Sequence, residues 1–425
     1  MANETPSQEF VGPFSPPPGG SGPPQVVDAL GTPGSGGPRG GRPILQVAGA
    51  VVAVLAILVG VGFVGHQIGN TSSSNQQANQ PIPKPAASSG VTAKTGTLNV
   101  SAVTAKVEPG VVDITAVDGY QNATSAGTGM ILTSNGEVLT NNHVIDGATS
   151  ITVQVDGVGT KYTAKVVGYD VTSDVALLQL ENASGLQTVT VGNSSNVLVG
   201  LPVVAIGNAL DLPGKPTVTS GAITATGRSI TASDQGNSSS ENLAGLLQSD
   251  ASLCSGNSGG PLANSSGQVI GMNTAAATNS SSSSCSTVGF AIPINTALSI
   301  ATTIQQGQSS TTVHIGLPAF LGVDVENASS AASRGNGFGG FGQSTPPVNS
   351  GALITNVIAS TPAQSAGLVA GDVITAANGA TITTVASLSA AIDSAKPSQS
   401  IAITWVDASD TSHTANMTLT TGPAG

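Results

Sequence analysis

Charge is scarce in this sequence. Asp, Glu, Lys and Arg together make up 8 % of 425 residues, and the formal balance is −11. No cluster of Lys or Arg exceeds two residues, so the basic footprint that holds a nucleic-acid backbone is missing and no nucleic-acid partner is expected. Cysteine occurs twice, at Cys254 and Cys285, which is too few for a disulfide-built scaffold and lacks zinc-site spacing. Neither a metal nor an organic cofactor is implied. Charged helix formers are replaced by 55 Gly, 25 Pro and long Ser/Thr/Asn tracts, a composition that favours short strands and loops. The length leaves room for about three domain-sized units, expected as β-rich bodies on flexible segments.

One long apolar run stands out. Residues 44–65 (ILQVAGAVVAVLAILVGVGFVG) carry no charge and, at about 1.5 Å per residue, are long enough to cross a hydrocarbon core. A buried core helix suits the run poorly, because it is apolar all round and flanked by Pro/Gly-rich chain. A cleavable signal peptide is the closer rival, but 43 residues precede the run and no small-x-small site follows it directly. An uncleaved signal anchor is therefore expected. Arg39 and Arg42 precede the run and the first charge after it is Lys84, which puts the N-terminus in the cytoplasm and the rest outside. The boundaries expected are a disordered cytoplasmic tail (1–43), the membrane anchor (44–65), a polar linker (66–100), a first folded domain (101–308) and a second domain (318–421).

From Val111 to Ile292, short β-branched segments such as VVDITAV, SITVQV, VALLQL and VVAIG alternate with turn residues. About a dozen strands at this spacing suit an all-β barrel architecture. Within it lies Gly256-Asn257-Ser258-Gly259-Gly260-Pro261. A nucleophilic serine needs such a turn, so that its hydroxyl projects into a cleft while neighbouring N–H groups converge on an oxyanion. Gly256, Asn257 and Ser258 outline that oxyanion site, with the N–H groups of Gly256 and Ser258 as natural donors. A serine hydroxyl also needs an imidazole to take its proton. Of the four histidines, His66 abuts the apolar run, while His314 and His413 lie beyond the barrel region, which leaves His143 as the base. Asp174, heading an apolar strand, is the expected orienting carboxylate; Asp146, Asp170 and Asp250 are its rivals. The chain order His, Asp, Ser is that of the chymotrypsin arrangement.

TNNHVIDGA, SDVALLQL, VVAIGNAL with TVTSGAITATGR, QSDASLCSGNSGGPL, GQVIGMNTAA and VGFAIPI together resemble the HtrA/Deg family of trypsin-fold proteases, in particular its membrane-anchored actinobacterial members. The resemblance covers roughly residues 100–421. It implies two perpendicular six-stranded barrels with the active site between them, His143, Asp174 and Ser258 on the family's catalytic positions, and Arg228 on the arginine of a mobile regulatory loop. Cys254 and Cys285 sit where secreted chymotrypsin-like enzymes carry a disulfide bracing the specificity pocket, and outside the membrane that bond should form. The stretch from Ser229 to Asn242 is a polar insertion where the regulatory loop runs. Ser252, six residues before the nucleophile, stands where a trypsin-like preference for Lys or Arg would need an acid. With Gly289, Phe290 and Ala291 as an apolar wall, the family's preference for small aliphatic residues in unfolded chains is implied.

After a helix expected at Asn295–Gln306, the sequence Phe320-Leu321-Gly322-Val323, followed by TPAQSAGL, GDVI and Asn378-Gly379, resembles a bacterial PDZ domain, an α+β fold. A glycine in the opening loop lets consecutive N–H groups turn inward on a terminal carboxylate, while the peptide adds as a strand beside Val323–Val325. A helix over Leu388–Ala395 forms the other wall, and residues 329–349 are expected to be disordered. The function implied is an extracytoplasmic, membrane-anchored serine endopeptidase acting on misfolded or unfolded proteins, with PDZ recognition of C-terminal peptides and, by resemblance alone, a homotrimer. A catalytically silent chaperone or adaptor is the alternative, and the complete triad argues against it.

Overall fold

The computed structural model describes residues 80–85, 98–208, 213–233, 240–276, 285–335 and 346–424. The apolar run at 44–65 lies outside them, and no described helix is long and apolar enough to cross a membrane.

A short helix α1 (Val100–Val107) leads into strands β1 (Val111–Asp118), β2 (Ala123–Ile131), β3 (Glu137–Thr140), β4 (Ser150–Val155), β5 (Lys161–Asp170) and β6 (Val175–Leu180), with a single turn of helix α2 (Asn142–Ile145) after β3. These strands pair antiparallel in the order β5-β4-β1-β2-β3-β6, and β5 pairs β6 to close the first barrel. A second closed barrel follows the order β11-β12-β14-β9-β8-β7. Its strands are β7 (Pro202–Gly207), β8 (Thr217–Ser233), β9 (Ser240–Ser249), β11 (Pro261–Asn264), β12 (Val269–Ala276) and β14 (Gly289–Pro293), while β10 (Leu253–Cys254) and β13 (Cys285–Ser286) pair with each other beside it.

Period-two alternation decides which core each residue enters, because successive side chains of a strand point to opposite faces. Val112 and Ile114 of β1 fill the first barrel with Ile131, Val138, Ala176 and Leu178. Val203 and Ala205 of β7 fill the second with Ile223, Leu262 and Ile270. Their neighbours Val111, Val204 and Ile206 point the other way and join Met130, Leu139, Leu177 and Met272 in a third cluster shared by the two barrels. Helices α1 and α3 (Ile294–Gln305) contribute Val103, Val107, Leu298 and Ala301 to that cluster. Strands with both faces buried read as continuous apolar runs, as VALLQL and VVAIG do.

Several boundaries differ from the expectation. Ile82, in the stretch expected to be a polar linker, is buried in the shared cluster, and Gln80 is bonded by Gln305 and Ser134. At the other end, β15 (Val313–Ile315), beyond residue 308, adds to the first barrel by pairing with β5.

The remaining chain forms strands β16 (Ala319–Phe320), β17 (Val323–Asn327), β18 (Ala352–Val357), β19 (Val373–Ala377), β20 (Ala380–Thr381), β21 (Ser400–Val406), β22 (Ser412–Thr418) and β23 (Thr420–Thr421), with helices α4 (Ala328–Gly335), α5 (Pro362–Ser365) and α6 (Val385–Asp393). The main sheet runs β17-β18-β19-β21-β22, which leaves β17 at its edge. Residues 328–335 are helical rather than disordered: Ala328 is fully buried against Leu353 and Val373, which gives the segment an apolar anchor. Residues 336–345 of the Gly/Phe-rich insertion lie outside the described residues, and its last four, 346–349, are irregular chain.

Candidate active site

His143 sits on α2, where the chain leaves β3, and Asp174 heads β6; Ser258 lies in the turn between β10 and β11 of the other barrel. The first two come from neighbouring strand ends, since β3 pairs β6. Asp174 is fully buried and left-handed (φ 53°), a conformation that Asp tolerates better than most residues. Both its carboxylate oxygens lie 3.0 Å from His143 Nδ1, and the His143 N–H also donates to Oδ1 at 3.0 Å. The Asn141 side chain donates to the Asp174 carbonyl at 2.9 Å, fixing the backbone beneath.

Thr274, on β12, connects this pair to the serine. Its hydroxyl donates to Asp174 Oδ2, and its backbone carbonyl accepts the Ser258 hydroxyl at 3.0 Å. The buried carboxylate therefore has two hydrogen-bonding partners besides backbone, one from each barrel. Thr274 was not singled out from the sequence, although it lies in the GQVIGMNTAA motif.

The rival carboxylates are committed elsewhere. Asp170 accepts the Ser173 N–H and the Thr312 hydroxyl, and Asp250 accepts the Ala222 N–H. Asp146 is exposed at the end of α2. Of the other histidines, His314 stacks on Tyr169 and His413 bonds Asp407. His66 lies outside the described residues.

In the serine turn, Gly256 and Gly259 have φ of 90° and 84°, which is glycine territory. The N–H groups of Asn257, Gly259 and Gly260 donate to the carbonyls of Cys254, Asn273 and Asn257. Asn257 thus supplies no free donor to an oxyanion, and its side-chain oxygen instead accepts the Cys254 N–H at 2.8 Å. Among the described residues, the N–H groups of Gly256 and Ser258 donate to nothing. The two donors expected for an oxyanion are the two left open.

Cys254 and Cys285 form a disulfide, joining β10 to β13 four residues before Ser258. The Ser252 carbonyl accepts the Thr219 hydroxyl, so Ser252 is anchored through its backbone. Gly289 lies against the Leu253 side chain, while Phe290 and Ala291 are buried in barrel core rather than forming an open wall. Arg228 is exposed and sits within β8 opposite Leu246, in a bulged stretch of the β8–β9 hairpin, not in a loop. The tip of that hairpin, 234–239, lies outside the described residues.

In the C-terminal domain, Phe320 ends β16, Leu321 and Gly322 form a loop, and Val323 begins edge strand β17. The Leu321 and Gly322 carbonyls point inward, accepting the N–H groups of Ala363 and Ile358 at 3.0 Å each. Their own N–H groups have no acceptor among the described residues. Gly322 has φ 87°, and a Cβ there would lie 2.2 Å from Thr361. Leu388 and Ile392 of α6 belong to the core of this domain. Phe320 contacts Tyr120 of the first barrel, with ring centroids 5.2 Å apart.

Among the described residues, no group of three or more His, Cys, Asp and Glu is placed to hold a metal. A family model described as a trypsin-like peptidase domain matches residues 127–272, and a PDZ domain model matches residues 319–412. The chain is 33 % identical over 400 residues to the serine protease PepD of Mycobacterium tuberculosis, an alignment covering 90 % of this chain and 78 % of that protein. It is 40 % identical over 287 residues to a probable periplasmic serine protease do/HhoA-like of Haemophilus influenzae, covering 67 % of this chain and 56 % of the relative. With the periplasmic serine endoprotease DegP of Escherichia coli it shares 35 % identity over 274 residues, covering 64 % and 52 %. The chain thus spans little more than half the length of the last two.

Proposed function

Because the chain belongs to the HtrA/Deg family of trypsin-like serine proteases, we propose that it is a serine endopeptidase acting outside the cytoplasmic membrane on unfolded or misfolded proteins. The observation that carries this reading is the Thr274 bridge, which ties the half-buried His143 and fully buried Asp174 of one barrel to Ser258 on the other. His143 takes the Ser258 proton as the hydroxyl attacks the scissile carbonyl, and Asp174 stabilises the imidazolium that results. The oxyanion moves into the Gly256 and Ser258 N–H groups. His143 then returns the proton to the leaving amine, and water hydrolyses the acyl-enzyme by the same base.

Substrate or regulatory C-termini bind the second domain. The terminal carboxylate meets the Leu321 and Gly322 N–H groups, and the peptide extends along β17 as a further strand. A signal anchor over 44–65 tethers both domains on the extracytoplasmic side, a compartment in which a Cys254–Cys285 disulfide persists. The absence of an acid at Ser252 favours small aliphatic residues over Lys and Arg at the cleaved bond. A homotrimer belongs to the same reading and rests on family resemblance.

Labelling with a fluorophosphonate probe tests this function directly. Wild type should be labelled and should cleave casein, whereas Ser258→Ala and His143→Ala should do neither while still binding a C-terminal peptide. Casein cleavage by Ser258→Ala at the wild-type rate would show the nucleophile to be misassigned. A folded wild type that is neither labelled nor active, with or without peptide, would favour an adaptor.

A further inference from the structure

We propose that Thr128, on the first barrel, is a positioning residue that holds the nucleophile turn of the second barrel in its reactive shape. The inference rests on the reading of Ser258 as nucleophile.

Thr128 is fully buried on β2, within Gly127-Thr128-Gly129, and every polar atom it has is engaged. Its hydroxyl donates to the Gly256 carbonyl at 2.7 Å and accepts the Asn208 N–H at 2.8 Å. Its N–H donates to the Ser258 carbonyl at 2.8 Å, and its own carbonyl accepts the Thr140 hydroxyl at 2.7 Å. The two carbonyls it grips belong to residues whose N–H groups are the open donors of the turn. The Asn208 N–H donates to a lone pair of the hydroxyl oxygen, and the single proton the hydroxyl has to give goes to the Gly256 carbonyl.

The turn needs such a hold. Gly256 and Gly259 have left-handed φ and no side chains, so local sterics alone do not fix the ends of the turn. Rotation of the Gly256–Asn257 peptide would carry its carbonyl away from Thr128 and its N–H away from the Cys254 carbonyl, and by changing the backbone angles on either side would turn the flanking Gly256 and Ser258 N–H groups out of convergence. The first barrel approaches so closely that a Cβ on Gly259 would lie 1.9 Å from the Thr128 carbonyl oxygen. Chain tracing alone would assign the oxyanion site to the second barrel; the hydrogen bonds make its shape a property of both.

The test compares the full chain with Thr128→Val, which keeps the branched shape and loses the hydroxyl, and Thr128→Ser, which keeps the hydroxyl. Peptide hydrolysis and the rate of fluorophosphonate labelling are measured together. Thr128→Val should lose about 10²-fold in kcat, the loss that follows removal of one oxyanion donor, and its labelling should slow in parallel. KM and the pH midpoint of kcat/KM should stay in place, since neither the substrate cleft nor the imidazole pair is touched, and Thr128→Ser should recover at least most of the rate. A wild-type kcat in folded Thr128→Val would overturn the proposal, as would a folded Thr128→Ser as slow as the valine variant. If Thr128→Val does not fold, Thr128→Ala removes the same hydroxyl and is read by the same criteria. An unlabelled, inactive wild type would overturn the protease reading itself, and is distinguishable because the fault then appears before any substitution.

Discussion

Replacing Cys254 and Cys285 together by serine removes a cross-link between residues 31 apart in the chain. The chain-entropy relation for closing a loop of that size gives about 3.7 kcal/mol of stability at room temperature. For a protease domain of roughly 200 residues, each kcal/mol corresponds to about 2–4 °C in Tm, so the variant should melt about 7–15 °C lower. The intrinsic fluorophores separate the two domains. All three tyrosines, Tyr120, Tyr162 and Tyr169, lie in the first barrel, and the single tryptophan, Trp405, lies on β21 of the PDZ domain. Tyrosine emission should therefore report the lowered midpoint while tryptophan emission, as internal control, should not move. The site should weaken as well, below the melting range. Cys254 receives the Asn257 N–H and gives its own N–H to the Asn257 side chain, and β10 pairs only with β13 among the described strands. Tyrosine midpoints that coincide with wild type within about 2 °C would refute the loop-closure reasoning. An equal shift in both emissions would refute the assignment of the effect to the protease domain.

Thr274→Val removes a charge-assisted hydrogen bond to a fully buried carboxylate; such bonds contribute about 1.5–3 kcal/mol, so kcat should fall about 10- to 150-fold with little change in KM, and an unchanged kcat would mean the bridge is dispensable. Gly322→Ala sets a Cβ 2.2 Å from Thr361 at a left-handed backbone position, so isothermal titration with a C-terminal peptide should show binding lost and the tryptophan melting midpoint lowered. Glu137 is buried with one carboxylate oxygen unpartnered, and burial raises its pKa above the ordinary 4.5 despite bonds from Gln305 and Thr133. Below about pH 4.5 both folded and unfolded forms hold the proton; as pH rises, the unfolded form ionises first, and the group's contribution to stability is lost through the raised folded-state pKa. Glu137→Gln should therefore resemble wild type in urea unfolding near pH 4 and gain on it toward neutral pH, and a gap that shrinks with rising pH would contradict the assignment.

The sequence by itself determined the kind of fold and the class of activity. Period-two alternation in VVDITAV and the short apolar runs VALLQL and VVAIG specified strands, the glycines around Ser258 specified a turn, and the count of histidines pointed to His143. Local pattern carries this information because strand faces and turn conformations are decided within a few residues. Elsewhere the local reading went astray. The polar linker conceals buried Ile82, the insertion opens with helix α4, and Phe290, read as pocket wall, belongs to the core. Asp170 is buried as Asp174 is, and what separates Asp174 from Asp170 and Asp250 is the imidazole partner it meets in space, which spacing does not encode. Thr274 lies 100 residues from Asp174, and Thr128 lies 128 residues from Gly256. Nothing about a threonine on a strand distinguishes it until closure of two barrels brings it to a carboxylate or a carbonyl. Only the tertiary structure decided those contacts, because a hydrogen bond between distant segments depends on where the strands end in space and not on the residues around them.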